Sequence, residues 1–309
     1  MTLDDEPPYP RDLVGYGAAP PDAAWPGGAR VAVQFVINYE EGGERCLLHG
    51  DRESEAFLSD IVGAAPLPDR RHMNMESLYD YGARAGFWRL MRLFGDRGVP
   101  VTAFAVGMAL ARNPDAARAL AEAGHEVASH GWRWIDYQDV DPETEADHIA
   151  RAHDTIEALV GTPPVGMYQG RTSPNTVALT AAHGGFLYSA DSYADDLPYW
   201  HLEGDTPLLM VPYTLDANDM RFATAQGFNS GDQFFAYLRD AFDMLYAEGA
   251  ERPRMMSVGL HCRLAGRPGR ALALARFLDH VQNHDRVWIC RREDIARHWI
   301  DRFPAPAYP

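Results

Sequence analysis

Three short stretches carry side chains whose types and spacing could do the acid–base chemistry of a hydrolysis. Adjacent carboxylates Glu40 and Glu41 follow an apolar run, His130 stands in Ser129-His130-Gly131-Trp132-Arg133-Trp134, and His261 closes a second apolar run in Gly259-Leu260-His261-Cys262-Arg263. The middle stretch reads as a His-x-x-x-His metal site in which tryptophan stands where the second imidazole belongs. Paired imidazoles joined by a carboxylate would hold a zinc-like ion, but an indole has only an N–H donor and no lone pair for a metal. The pattern therefore predicts a hydrolase that has lost its metal, with no cofactor required. Other candidates stand further along the chain, Arg171 in Gly170-Arg171-Thr172 and Asp191 in an acidic segment where Asp195 and Asp196 are alternatives.

These residues need a scaffold, and the chain is long enough to supply one. Its 309 residues, 46% hydrophobic and 23% charged, suit a single large α/β domain. A formal net charge of -16 disfavours nucleic acid, anionic membrane and polyphosphate partners, so a neutral or weakly charged small molecule fits better. No run of about eighteen apolar residues suggests a membrane span. Residues 1–8 are acidic and proline-rich, without the cationic and apolar regions of a secretory signal, and Cys46, Cys262 and Cys290 do not suggest a disulfide framework. The expected compartment is the cytoplasm.

After a Pro/Gly-rich extension over 1–30, residues 31–309 read as one domain. Short β-branched or apolar runs predict strands at 31–37, 101–106, 126–129, 165–168, 186–190, 208–212, 255–261 and 286–290. Helical spacing falls between them, at 83–95, 114–123, 142–160, 174–183, 231–248, 267–283 and 293–302. Asn113-Pro114-Asp115 and Asp141-Pro142-Glu143 are strong helix starts, and Gly124 and Gly161 are strong stops. A long irregular insertion is expected over 42–81. Strands alternating with helices imply parallel units, and seven or eight of them imply a closed or nearly closed β/α barrel, with a doubly wound open sheet as the alternative. Glu40, Glu41, His130, Trp134, Arg171, Asp191 and His261 then all fall at carboxyl ends of strands, the rim on which such barrels build active sites.

From 31 to 302 this constellation resembles the polysaccharide deacetylase (NodB-homology) family, whose fold is a distorted TIM-type barrel. Asn38-Tyr39-Glu40-Glu41-Gly42 stands where that family has Asp-Asp-Gly, a general base followed by a metal ligand. His130 and Trp134 match its His-x-x-x-His, Gly170-Arg171-Thr172-Ser173-Pro174 its arginine motif, residues 191–200 its Asp-and-Trp segment, and Leu260-His261 its late Leu-His. The departures, with Met73-Asn74-Met75-Glu76-Ser77, look like the cofactor-independent allantoinases of purine catabolism. That resemblance implies hydrolysis of the hydantoin ring of allantoin to allantoate, and a homotetramer.

Under that reading Glu40 is the base. Glu41 orients water or binds a substrate N–H, Arg171 positions a carboxylate or stabilises charge, and His261 protonates the leaving nitrogen. His130 becomes a hydrogen-bonding residue, Trp132 and Trp134 wall the pocket, and Asp191 is a substrate contact. Plainer roles exist for each: a solvated turn for the glutamates, core aromatics for the tryptophans, a loop anchor for Arg171. Strand alternation sends Cys262 away from any pocket that His261 faces. Two other functions compete, a metal-dependent deacetylase of N-acetylated sugars using Glu41 and His130, and a barrel that binds a small molecule without catalysis.

Overall fold

A computed structural model describes residues 11–202 and 206–306; residues 1–8, expected to begin an extension, lie outside them. Among the described residues the strands are β1 (Val31–Tyr39), β2 (Thr102–Ala105), β3 (Glu126–Ser129), β4 (Gly166–Met167), β5 (Tyr188–Ser189), β6 (Tyr199–His201), β7 (Leu208–Met210), β8 (Arg254–His261) and β9 (Val287–Ile289). The helices are α1 (Met73–Tyr81), α2 (Phe87–Gly95), α3 (Gly107–Arg112), α4 (Pro114–Glu122), α5 (Pro142–Val160), α6 (Thr176–His183), α7 (Gly231–Glu248), α8 (Pro268–Gln282) and α9 (Arg292–Arg302). The strands form one sheet in the order β6-β7-β5-β4-β3-β2-β1-β8, with β9 also on β1, and only the β6–β7 pairing is antiparallel.

The sheet curls into a half-closed barrel, as the barrel reading expects, and a seam separates the β6–β7 edge from β8. A single bridge, Asn218 with Gly259, spans it at the top. Below, the Arg292 guanidinium does the work of a ladder, donating to the carbonyls of Val211 and Pro212, to Ser257 Oγ and to Gln34 Oε1. The period of two along β1 sorts its side chains. Val31, Val33, Phe35, Ile37 and Tyr39 pack outward on the helices with Phe87, Leu90 and Phe94, whereas Ala32 and Val36 join Phe104, Tyr168 and Tyr188 inside. Continuing that alternation past the strand turns Glu40 inward and Glu41 outward.

Three expectations need correction. The irregular insertion ends at residue 72 rather than 81, because α1 begins at Met73 and runs into α2 through one π turn, Gly82–Gly86. That turn brings two glycines against strand ends, where a Cβ on Gly82 would lie 2.2 Å from Glu41 Oε1 and one on Gly86 1.9 Å from the Cys262 carbonyl. Helix α3 was not foreseen, because six residues are too few for a periodic signature; its first donors are satisfied from outside by the carbonyls of Gly131 and Trp132. Lastly, the end of the lead-in, read as an extension, packs against the domain. Trp25 is buried against Trp288 and Trp299 and donates to the Arg254 carbonyl.

Candidate active site

Glu40 stands at the mouth of the barrel, 1% exposed, on a cavity of about 570 Å³. A tight turn sets it there: the Gly43 amide donates to the Glu40 carbonyl, and Gly42 takes a φ of 101°, which favours glycine. Three cationic or imidazole groups surround the carboxylate. Its Oε1 lies 3.3 Å from His130 Nε2 and 3.4 Å from His261 Nε2, and its Oε2 lies 2.7 Å from Arg263 Nη1. Burial alone would raise its pKa, but Arg263, His261 and the two imidazole contacts outweigh it and hold Glu40 well below the ordinary glutamate range. Glu40 is therefore ionised.

The two histidines are held by different partners. Asp219, wholly buried, accepts from His261 Nδ1 at 2.6 Å and from the backbone amides of His261 and Ala265. Burial works against a charged imidazole here, yet Glu40 and Asp219 prevail and push the His261 pKa up to about 9, leaving an imidazolium with Nε2–H facing Glu40. His130 has Nδ1 2.8 Å from the Tyr168 carbonyl. A carbonyl only accepts, so Nδ1 carries a proton, and Nε2 lies against the Glu40 carboxylate.

Arg263 was not singled out from sequence, and neither was Asp219. Two residues past His261, Arg263 is 1% exposed and places its guanidinium between Glu40 and Trp134. Its guanidinium lies 4.9 Å from the Trp134 ring and 4.2 Å from the Tyr79 ring, while its Nε donates to the Leu58 carbonyl at 2.8 Å. Tryptophan in place of the second histidine thus makes the aromatic face against which a permanent cation packs. These residues do not fit a metal ion. Trp134 offers no lone pair, and the Glu40, His130 and His261 donor atoms do not gather within 4.8 Å of one another as a three-ligand set.

The other candidates divide into those on the cavity and those behind it. Trp134 lines it, stacked on Phe57 at 5.9 Å, and so does Arg171, whose Nη1 finds no hydrogen-bond partner among the described residues. Arg171 also keeps distant ion pairs of 3.9 Å with Glu55 and Asp136. Glu41 is not on the cavity: its carboxylate accepts from the amides of Glu40 and Arg263 and abuts Gly82, so it fixes Arg263 instead of meeting substrate. Burial, with Glu40 nearby, raises its pKa. Trp132 also points away, because Gly131 at φ 68° turns the chain and the indole packs under Arg151, 3.9 Å from its ring. Asp191 is likewise behind the wall; both oxygens accept from the amides of Gln169 and Gly170, pinning the loop that presents Arg171. Cys262 is buried on the opposite side from His261, its Sγ on the Asn38 carbonyl.

The insertion supplies a wall that sequence could not place. Phe57 and Leu58 face the cavity, and the Asp51 carboxylate ties the segment to Arg133 at 2.5 Å. Further polar residues of the insertion border a second cavity of about 850 Å³, which shares Phe57, Asp136 and Arg171 with the first. Among the described residues no helix is long and apolar enough to cross a membrane.

Residues 72–184 match the family model for polysaccharide deacetylase. A Schizosaccharomyces pombe protein described as a polysaccharide deacetylase is 44% identical over 96% of this chain and 99% of its own length. Two crystal structures are similar throughout. One, described as a polysaccharide deacetylase from Pseudomonas aeruginosa PAO1, is 60% identical with a TM-score of 0.95, covering 96% of this chain and 100% of that one. The other, PuuE allantoinase, is 57% identical with a TM-score of 0.95, covering 97% and 100%.

Proposed function

This chain belongs to the polysaccharide deacetylase family, as a hydrolase acting on C–N amide bonds, and we propose that it is an allantoinase that opens the hydantoin ring of allantoin to allantoate without a catalytic metal. The observation that carries this reading is the Arg263 guanidinium packed on Trp134, which supplies a permanent positive charge beside Glu40. The likeness to PuuE allantoinase supports the choice of substrate. The cavity is of the size and character that suit a small heterocycle, with Trp134, Phe57, Tyr168 and Tyr213 as flat walls.

In this scheme Glu40 takes a proton from water as its oxygen adds to the ring carbonyl. His130, with Nε2 3.3 Å from Glu40 Oε1, holds the carboxylate in place for that step. Arg171, with its unpaired Nη1, meets the developing oxyanion or the ureido chain. His261 then gives its Nε2 proton to the ring nitrogen as the C–N bond breaks, and Asp219 holds it charged until that point.

The test is allantoin turnover by protein stripped with chelator, beside N-acetylated sugars as the competing substrates. Full allantoin hydrolysis after stripping is the expected result. Activity on the sugars that vanishes with chelator and returns with zinc would establish the metal-dependent deacetylase instead, and no turnover of either would leave a binding protein.

A further inference from the structure

On the outer helices, far from the mouth, α7 and α8 bring together a different set of ligands. We propose that Asp243, His280 and His284 form a transition-metal site, with zinc as the ion best suited to it. Among the described residues these three alone offer His, Cys, Asp or Glu donor atoms that all lie within 4.8 Å of one another. His280 and His284 are one helical turn apart, at the end of α8 and just beyond it, so both rings project from one face. Asp243 on α7 meets them with its Oδ1 2.7 Å from His280 Nε2.

Two features mark this as more than a surface ion pair. His284 directs Nδ1 at the His280 carbonyl, 2.8 Å away, so Nδ1 carries the proton and Nε2 is left with a free lone pair, the tautomer that metal-binding histidines use. Phe242 sets both rings from beneath, at 5.6 Å from His280 and 5.0 Å from His284, and the two imidazoles stand 4.7 Å apart. Two nitrogens and a carboxylate oxygen suit zinc, copper or nickel, leaving one position of a tetrahedron open. Bonds of about 2.0–2.2 Å put tetrahedral donors roughly 3.3 Å apart, so the Asp243–His280 contact has only to widen slightly. Asp243 is exposed and the histidines half-buried, so an ion can enter without unfolding the helices. Helix α8 starts near the mouth after His261 and runs to the opposite end, so an ion there would cross-link α7 to α8 and leave Glu40 untouched. Zinc carried by the purified protein would then say nothing about the catalytic corner.

The experiment uses full-length protein stripped with chelator and titrated with zinc chloride alone by calorimetry. One equivalent binds, binding weakens at least tenfold in His284→Ala and in Asp243→Asn, and Glu40→Gln binds as the parent does. Zinc also raises the melting temperature of the parent but not of His284→Ala, whose hydrolysis rate stays within twofold of the parent's. A parent that binds no zinc would overturn the assignment. So would binding left unchanged by both outer substitutions, or binding abolished by Glu40→Gln. Asp243→Asn removes one donor on an exposed side chain, so it remains informative if the histidine variant folds poorly.

Discussion

The barrel buries a carboxylate and an arginine at each end and treats them in opposite ways. At the mouth, Glu40 and Arg263 lie 2.7 Å apart but are not aligned as a hydrogen bond, and Glu40 Oε2 with both Arg263 Nη atoms have no hydrogen-bond partner among the described residues. At the seam and floor, Glu126 accepts from Thr102 and Tyr188 hydroxyls and the Glu293 amide, while Arg292 donates into Gln34, Ser257 and two carbonyls. Burial raises the Glu126 pKa, and nearby cations lower that of Glu40. The floor carboxylate is saturated with donors. Its counterpart at the mouth is charged, under-bonded and open to a cavity, and that difference separates a structural polar cluster from a reactive one.

The sharpest way to break the comparison is to make the same isosteric change at both ends. Glu40→Gln removes the base and should lower kcat by about 10³-fold or more, with a lower melting temperature as well, because buried Arg263 and His261 lose their counter-charge. Glu126→Gln should leave kcat within a few-fold and cost about 1 kcal/mol of stability, since one hydroxyl or amide partner loses its acceptor. Equal kinetic losses at both positions, measured with matched denaturation curves, would erase the distinction.

The arginines come next. Arg263→Gln strips Glu40 of its main counter-charge, so kcat should fall roughly 10²-fold. The sign of the accompanying pH effect is fixed. In the parent, Glu40 stays ionised until the pH falls well below the ordinary glutamate range; without Arg263 its pKa climbs, and the acid limb of the pH–rate profile moves upward. Arg292→Met should instead destabilise the fold, by about 3–5 kcal/mol for a partner withdrawn from a buried polar cluster, with the acid limb unmoved. A shifted limb in Arg292→Met, or an unshifted one in Arg263→Gln, would contradict the assignment of roles.

Most of the frame was legible in the sequence because it rests on local signals. Strong caps gave α5 its bounds, where Asp141 does accept from the Thr144 amide and Gly161 takes a φ of 88°. Asn113 begins α4 as read, but its side chain donates to Tyr39 rather than capping the helix. Glu40, His130, Trp134, Arg171 and His261 do gather at one cavity, since all sit at strand ends on one rim. Glu41, Trp132 and Asp191 do not, and the reasons are geometric. One outward step of strand alternation, one left-handed glycine and one pair of backbone amides each turn a side chain away, and a motif spelled in letters does not show these. Arg263 had a readable signal, as the lone charge in Leu260-His261-Cys262-Arg263-Leu264, two positions from a pocket residue. Asp219 had none that distinguishes it from neighbouring turn acids, because its role depends on a bond made across the seam.

His261 tests the mouth from the basic side. A general acid must be protonated, so turnover should fall as the pH rises through about 9. The same group links to stability: its folded pKa lies above the ordinary value of 6.5, so its contribution is fully present below pH 6.5 and disappears as the pH rises through about 9. Asp219→Asn should bring the basic limb downward and reduce kcat by tens of fold, or about 2 kcal/mol of activation free energy. A basic limb that stays near 9 in Asp219→Asn would remove His261 from the proton transfer to nitrogen.

The smallest expected effect concerns the residue that first suggested a missing metal. The arginines at the two ends each have an aromatic partner, Trp134 at 4.9 Å from Arg263 and Phe104 at 5.5 Å from Arg292, but only the first faces the cavity. Trp134→His should not restore a metal enzyme. The new imidazole would meet Arg263, while Glu41 stays turned toward Gly82, so the carboxylate that pairs with two histidines in the resembled motif remains out of reach. Losing the indole face should cost about 0.5–2 kcal/mol, seen as a several-fold to tens-fold fall in kcat/KM, with activity in Trp134→His still indifferent to chelator. Chelator-sensitive turnover gained by this single change would mean that Arg263 yields its place readily, and that the mouth is a metal site in waiting rather than one rebuilt around a guanidinium.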